Sequence, residues 1–483
     1  MITNDATILK IKHEVLYQVA KLAFDGELEE KKEQLPYKLI PGPHAIFRCC
    51  IYKEREIIRQ RINLAQGKCP DGTKDDNLVQ VITAACQGCP ISRYVVTDNC
   101  RKCMGKACQH ACKFGAISMG RDRSYIDPAK CKECGMCAKA CPYNAIADLV
   151  RPCKKSCPVD AITMDENMIC KIDMEKCIRC GQCIHSCPFG AIGSKTDIVD
   201  VINAIKSDKK VVAMLAPASE GQFGNDITMA SWRVALKKVG FDEMYEVGLG
   251  GDMTASAESR EWAEAYKEGK KKTTSCCPAF VNMIEKHYPE LKDNMSNTVS
   301  PMCAVSRLIK AQEPGTITVF IGPCIAKKSE AHDHKLKDNA DYALTFGEIR
   351  AIMKAKEVTL EPATEELQQS SIYGKKFANA GGVAEAVIES LKESGENADI
   401  NVMKCAGAVE CKKGLMLMKL GRFNEDFMEG MICEGGCVGG PSSHKGENES
   451  KRARQALLAK ADNRNISENL KDYNMDSISM NRR

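Results

Sequence analysis

The chain reads as a multidomain protein of mixed class, α/β joined to α+β, and three observations predict it. Its 483 residues exceed one ordinary domain. Seventeen of its 28 cysteines fall between Cys86 and Cys187, among short turns and repeated phrases. After Ile198 the texture changes to buried-strand candidates, KVVAMLAP at Lys210–Pro217 and ITVFIG at Ile317–Gly322, each flanked by helical stretches. These set the expected units: a helical segment over 1–85, a cysteine-rich module region over 86–196, an α/β region over 197–445 and a charged tail over 446–483.

The N-terminal unit reads as helix, with an amphipathic opening over Met1–Lys21 and a second helix over Tyr52–Ala65. No stretch there combines a basic flank, an apolar core and a small-residue cleavage site. No apolar run approaches the ~18 residues that span a bilayer. A cytoplasmic protein with no membrane partner is therefore expected. In that reducing compartment, clustered cysteines point to thiolate metal ligands rather than disulfides. Cys49, Cys50 and Cys69 stand apart from the clusters and read as buried thiols. The net charge of +5 is small, and opposite signs are interspersed, as in Glu29–Glu30–Lys31–Lys32. No basic stripe or aromatic ladder marks a nucleic-acid binder. A basic face for an acidic electron carrier is compatible with the balance. After Ser443 the tail reads as polar and partly mobile, with one helical segment over Arg452–Ala461.

The middle unit is an internal repeat. CKFGAI at Cys112, CPYNAI at Cys141, CPVDAI at Cys157 and CPFGAI at Cys187 vary one phrase. Two copies close a full C-x2-C-x2-C-x3-C-P run: Cys131, Cys134, Cys137, Cys141 and then Cys177, Cys180, Cys183, Cys187. A third run, Cys100, Cys103, Cys108, Cys112, is stretched by two residues. Three closely spaced thiolates wrap one cubane and the fourth reaches another. Zinc would use paired C-x2-C units and stop there. The region resembles bacterial two-[4Fe–4S] ferredoxin modules, used about twice. That resemblance pairs Cys100, Cys103 and Cys108 with Cys141, and Cys131, Cys134 and Cys137 with Cys112. Cys157 would close the run Cys177, Cys180, Cys183. Cys187 is left without an obvious trio, which Cys153 and Cys170, or Cys86 and Cys89 of ACQGCP, would have to supply. At least three accessory clusters are expected, and a fourth stays open.

Three loops carry the chemistry of the last half: TSCCPAF at Thr274–Phe280, GPCIAKKSE at Gly322–Glu330 and ICEGGCVGGP at Ile432–Pro441. Cys277, Cys324, Cys433 and Cys437 are four thiolates from separate loops, enough for one further cubane. The glycines beside Cys437 let backbone approach a bulky group. Together the loops resemble the signature motifs of [FeFe]-hydrogenases, TSCCPxW, PCxxKxxE and CxxxCxxGG, over roughly Ile198 to Ser443. The resemblance implies a two-lobed α/β catalytic domain holding an H-cluster, a [4Fe–4S] cubane joined by a shared thiolate to a diiron unit with CO, cyanide and azadithiolate. Cys277, Cys324, Cys433 and Cys437 would hold the cubane, with Cys437 as the bridge. Lys327 would hydrogen-bond one cyanide, and the backbone at Ala216 and Pro217 would contact the other.

The same resemblance implies proton delivery through Cys276, with Glu258, Glu261 and Ser296 behind it. The two glutamates sit three apart on one helix face, and a thiol's pKa is movable by its surroundings. Phe280 replaces the usual Trp, Ala218 a common Ser and Gly322 a frequent Met, while Met302–Cys303 occupy a site often polar. Cys405 and Cys411 are extra thiols without a role. These departures suggest a divergent clostridial-type, group B-like branch. The implied activity is reversible 2H⁺ + 2e⁻ ⇌ H₂, with electrons from ferredoxin or a similar redox protein and a diiron unit installed by maturation proteins. A slow sensory hydrogenase, a hydrogenase-like iron–sulfur scaffold and a plain electron carrier are the alternatives. Cys276 speaks against the first, a scaffold needs no proton relay, and a carrier leaves the three loops unexplained.

Overall fold

The structure, a computed structural model, describes residues 7–89, 92–363 and 367–482. Met1–Ala6 of the expected first helix and Pro90 of the ACQGCP phrase lie outside these residues.

Four helices, Ile8–Asp25, Leu28–Lys31, Leu35–Leu39 and Ile51–Ala65, open the chain. Thr7 caps the first by accepting from the Lys10 amide, and Gly26 ends it in a left-handed turn. Its apolar stripe (Ile11, Val15, Val19, Leu22) does not form a core of its own. It packs with Val211, Trp232, Phe346 and Ile349 into one core continuous with the α/β region. The expected helical unit also ends early, because Val79–Val81 is a strand. Cys69 is buried as expected, but Cys49 and Cys50 are exposed.

Eight short strands carry the cysteine-rich region: β1 (Val79–Val81), β2 (Tyr94–Val96), β3 (Ile117–Met119), β4 (Ser124–Ile126), β5 (Ile146–Asp148), β6 (Ile162–Met164), β7 (Cys170–Ile172) and β8 (Ile192–Ser194). β3–β4 and β6–β7 are antiparallel hairpins; β2 pairs with β5 and β1 with β8. The repeated phrase has a physical basis. Its fourth residue, Gly115, Asn144, Asp160 or Gly190, has φ of 61°, 48°, 50° and 55° respectively. Gly, Asn and Asp are the types that tolerate this left-handed turn. The turn aims the following alanine amide back at the cysteine: Ala116, Ala145, Ala161 and Ala191 donate to Sγ of Cys112, Cys141, Cys157 and Cys187 at 3.3–3.4 Å.

The α/β region holds two parallel sheets. The first has the order β10 (Glu243–Glu246), β9 (Val211–Leu215), β12 (Ile317–Gly322), β13 (Tyr342–Thr345), and the second β11 (Lys272–Thr273), β15 (Phe427–Met431), β14 (Val402–Ala406). All pairings within them are parallel, so helical crossovers cover the faces. The long helix Val247–Lys267 links the two sheets in sequence, and its Trp262 stacks on Phe427 of β15 at 4.0 Å between ring centres. The tail packs onto the α/β region. Helix Glu447–Leu458 buries Arg454, and helix Ile466–Leu470 places Asn469 Nδ2 2.8 Å from Asp252 on the long helix.

Candidate metal centre

Every signature loop sits at the C-terminal end of a parallel strand. β9 runs into Ala216–Pro217, β11 into Cys276–Cys277, β12 into Cys324 and β15 into Cys433. That edge is where open α/β sheets bind ligands. Two sheets presenting the same edge bring together thiols that are up to 160 residues apart (277 to 437).

Cys277, Cys324, Cys433 and Cys437 are mutual electrostatic neighbours: the charges of Cys277 and Cys324 both bear on Cys433 and on Cys437. Burial is the main cause that pushes the Cys324 thiol up to about 11, Cys437 to about 12 and Cys433 well above its ordinary value. Cationic metal is what makes such buried thiolates tenable. Among the described residues, no three His, Cys, Asp or Glu side chains converge on a single metal ion. Thiolates that each bind a different iron of a cubane have no need to. Cys437 keeps accessible surface although protein encloses its thiol, so it faces an internal hollow rather than bulk water. The donor set and the hollow both fit a cubane with a second group beside Cys437.

Backbone geometry makes room for it. Gly436 has φ +82°, and a Cβ there would lie 2.6 Å from the Ala380 amide nitrogen. Pro278 opens the helix Pro278–His287 directly after Cys277. The amides of Ala326 and Lys327 bond the Cys324 thiol. Phe280 is wholly buried against Gly430, whose missing side chain leaves space for the ring.

Lys327 Nζ pairs with Glu330 Oε2 at 2.6 Å and reaches the Cys276 carbonyl at 3.4 Å. Glu330 also accepts from Ser300 Oγ at 3.0 Å and from Arg482 at 3.1 Å. Two cations thus share one carboxylate beside the TSCC loop, leaving an excess positive charge facing the thiols. Arg454, near Cys437, donates to the carbonyls of Pro217 and Lys375. The Ala216 amide is taken by the Ile321 carbonyl within the sheet, at 2.9 Å.

The three carboxylate-and-hydroxyl residues form a file. Glu261 is partly exposed, 3.5 Å from Lys272 Nζ. Ser296 Oγ donates to Glu261 at 2.6 Å. Ser296 also neighbours Glu258, whose Oε1 accepts from the Ser275 amide at 3.4 Å while Oε2 is buried without a hydrogen-bond partner. Burial first, and the Glu261 charge second, raise Glu258 to about 8. It therefore keeps its proton at neutral pH. The buried Cys276 thiol lies next to Glu258, and burial first and that neighbour second push its pKa well up.

The cysteines of the modules gather in sets. One hollow is lined by Cys112, Cys131, Cys134 and Cys137, and a second by Cys100, Cys103, Cys108 and Cys141. Cys157, Cys177, Cys180 and Cys183 are mutual neighbours, and Cys180 bears on Cys433 across the boundary to the α/β region. Cys405 and Cys411 are buried behind Cys277. Sequence reasoning gave no role to Glu330, although it closes the PCxxKxxE motif, and did not single out Arg454 or Arg482, whose surroundings in sequence are those of a solvated tail.

Sulfur gathered at the facing edges of two parallel sheets, with hairpin modules of cysteine leading to it, defines an iron–sulfur protein. Residues 209–441 match the family model for the C-terminal domain of the iron-only hydrogenase large subunit; 147–198 match an LdpA Fe–S cluster-binding domain and 124–147 a 4Fe–4S binding domain. Residues 209–441 belong to the iron-only ([FeFe]) hydrogenase large-subunit family, and 4Fe–4S domains precede them. Iron hydrogenase 1 of Clostridium pasteurianum is 31% identical over 372 residues, covering 65% of this chain and 64% of that protein. The periplasmic [Fe] hydrogenase large subunit of Nitratidesulfovibrio vulgaris is 28% identical over 299 residues, 50% of this chain and 71% of that protein. A solved [FeFe]-hydrogenase from Chlamydomonas reinhardtii aligns with a TM-score of 0.45 at 20% identity, over 57% of this chain and 94% of that one. A cytosolic Fe–S cluster assembly factor of Kluyveromyces lactis matches more narrowly, 27% identical over 138 residues, 26% of this chain and 29% of that protein.

Proposed function

We propose that this protein interconverts protons and hydrogen, 2H⁺ + 2e⁻ ⇌ H₂, at an H-cluster that Cys277, Cys324, Cys433 and Cys437 would hold. The observation that carries the reading is a conjunction: four thiols from three strand-end loops come together, and a file of proton-holding groups leads to the same place. When bound, the cluster supplies redox iron chemistry the protein itself lacks.

The chain's own residues bind, orient and move protons. Lys327 offers a charge-assisted hydrogen bond to an anionic cyanide, and the backbone around Ala216 and Pro217 lines the opposite side. Glu261 exchanges protons with solvent and passes them through Ser296 to Glu258. Glu258 holds its proton at neutral pH, and Cys276 presents the last one to the hollow. Accessory cubanes held by the module cysteines would supply a path for electrons from a ferredoxin or a similar redox protein. Dedicated maturation proteins install the diiron unit.

Infrared spectra of protein co-produced with diiron-maturation proteins test the reading. CO and CN stretches together with hydrogen evolution from a strong reductant are expected. Cubane iron without those stretches would leave a scaffold, and stretches with negligible turnover would leave a sensor.

A further inference from the structure

The run Cys177, Cys180, Cys183, Cys187 leaves one cysteine over, because Cys157 closes its trio. Cys187 nevertheless has the dress of a ligand: its Sγ accepts the Ala191 amide at 3.3 Å, as Cys112, Cys141 and Cys157 accept theirs. Its neighbours supply the missing trio. Cys86 and Cys89 each lie within electrostatic reach of both Cys153 and Cys187.

The arrangement copies the module that spans β2 to β5. There β2 pairs with β5, and the Thr97 amide donates to the Ala145 carbonyl at 2.8 Å. Here β1 pairs with β8, and the Ile82 amide donates to the Ala191 carbonyl at 2.7 Å. The hairpin β3–β4 is matched by β6–β7, down to Asp127 bonding the Ala116 carbonyl and Asp173 the Ala161 carbonyl, both at 2.8 Å. Cys153-x3-Cys157 repeats the spacing of Cys108-x3-Cys112. Cys86 and Cys89 therefore stand where Cys100 and Cys103 stand, and Cys153 where Cys108 stands. One module is nested within the other, inserted between the second and third cysteines of its host. The host's first pair departs locally, since Cys86 ends a helical turn (Thr83–Cys86) rather than entering a left-handed one.

The same register decides between Cys153 and Cys170. Cys170 opens β7 as Ser124 opens β4. Ser124 Oγ lies 3.8 Å from both Cys100 and Cys108 sulfurs. Cys170 likewise sends its amide to Cys86 Sγ at 3.3 Å and its thiol to Cys153. It occupies the position of a donor to ligand sulfur, not of a ligand.

We propose that Cys86, Cys89, Cys153 and Cys187 hold a fourth accessory [4Fe–4S] cluster, with Cys170 as its hydrogen-bonding neighbour. Because the inserted module leaves the chain after Cys89 and returns just before Cys153, its stem rises from this cluster. The fourth cluster is then the step between the inserted module and the Cys157–Cys177–Cys180–Cys183 cluster. One electron passes at each hop, the donor cluster being oxidised as the next is reduced, with no further reactant.

Iron and acid-labile sulfide counts on the full chain, produced anaerobically without diiron-maturation proteins, test this independently of the hydrogenase reading. Five cubanes give about 20 irons per chain, four about 16. Cys153→Ala and Cys187→Ala should each lose about four irons and one spin of the reduced-state EPR signal, whereas Cys170→Ala keeps all the iron and alters only the EPR line shape or potential. An unchanged count in both Cys153→Ala and Cys187→Ala would overturn the site whatever the total, because sixteen irons in the unaltered protein would equally follow from an empty α/β site. Loss of iron from Cys170→Ala with none from Cys153→Ala would overturn the ligand assignment. If either variant fails to accumulate, the count on Cys324→Ala, which removes the α/β cubane, decides: about 16 irons support the site and about 12 overturn it.

Discussion

The cysteine-rich modules and the α/β region both collect sulfur, and they do it by opposite means. In the modules, ligands come from turns a few residues long, and in the inserted module the thiols stay near water; Cys134 is exposed and the Cys100 thiol is held below its ordinary value mainly by the Ser124 backbone amide. In the α/β region the thiols come from three loops that follow different strands, and burial raises Cys324, Cys433 and Cys437. Local spacing makes a cluster that is replaceable and modular. Topological convergence makes one that depends on the whole domain and whose surroundings can be dry enough for proton chemistry.

Removing one thiolate from each region sharpens the contrast most. Cys324→Ala should lose the cofactor, the CO and CN stretches and all turnover. Cys134→Ala should lose about four irons while the stretches persist. Equal damage from both would break the distinction. Cys276→Ala comes next: the stretches and iron content remain, but hydrogen evolution falls about 100-fold or more, in the range expected for a lost proton donor. A fully active variant would remove Cys276 from the relay.

A smaller effect is expected along the carboxylate file. Glu261→Gln should slow turnover about 10-fold with the stretches intact. Glu258 is protonated below about 8 and loses that proton as pH rises. Relay through it therefore fails on the alkaline side, and hydrogen evolution should decline across that range. Glu258→Gln, which cannot donate as an acid, should be slow throughout and lack that alkaline limb. The linkage to stability has the same sign. A carboxyl whose folded pKa is raised favours the folded state below its unfolded pKa, and that advantage disappears as pH climbs through about 8.

The contrast also explains what was legible in sequence. The module runs were recognisable, and the resemblance could offer a pairing for them, because the turns that place them are local, and the phrase ending in Ala-Ile writes its own left-handed turn and N–H···S bond. The strand KVVAMLAP was readable because a parallel strand buried on both faces is a continuous apolar run. Cys86 and Cys153 were hard to join because a whole module separates them, so the fourth set was only an open choice. Arg454 and Arg482 were invisible because a buried arginine looks like a solvated one until its partners, here Glu220 and Glu330, are placed. For the same reason the N-terminal helices looked like a separate unit. Their stripe is amphipathic in either case, and only the fold shows that it covers the first sheet.

The smallest expected effect lies within the modules themselves and tests whether burial, rather than ligand type, sets them apart. All four sets are cysteine-only, so their potentials should differ through surroundings. Near the α/β region, burial raises Cys180 to about 12, and raises Cys177 and Cys183 as well. In the inserted module Cys134 is exposed, and backbone amides lower Cys100. Burial that disfavours a thiolate also disfavours the extra negative charge of a reduced cubane. The Cys157–Cys177–Cys180–Cys183 cluster should therefore titrate at a more negative potential than those of the inserted module, by tens to about 100 mV, within the wide range open to such clusters. EPR-monitored redox titration reads this, with Cys134→Ala deleting a component of the higher-potential group. If that variant deleted the most negative component instead, burial would not be what orders the chain, and hydrogen bonding to the sulfurs would take its place.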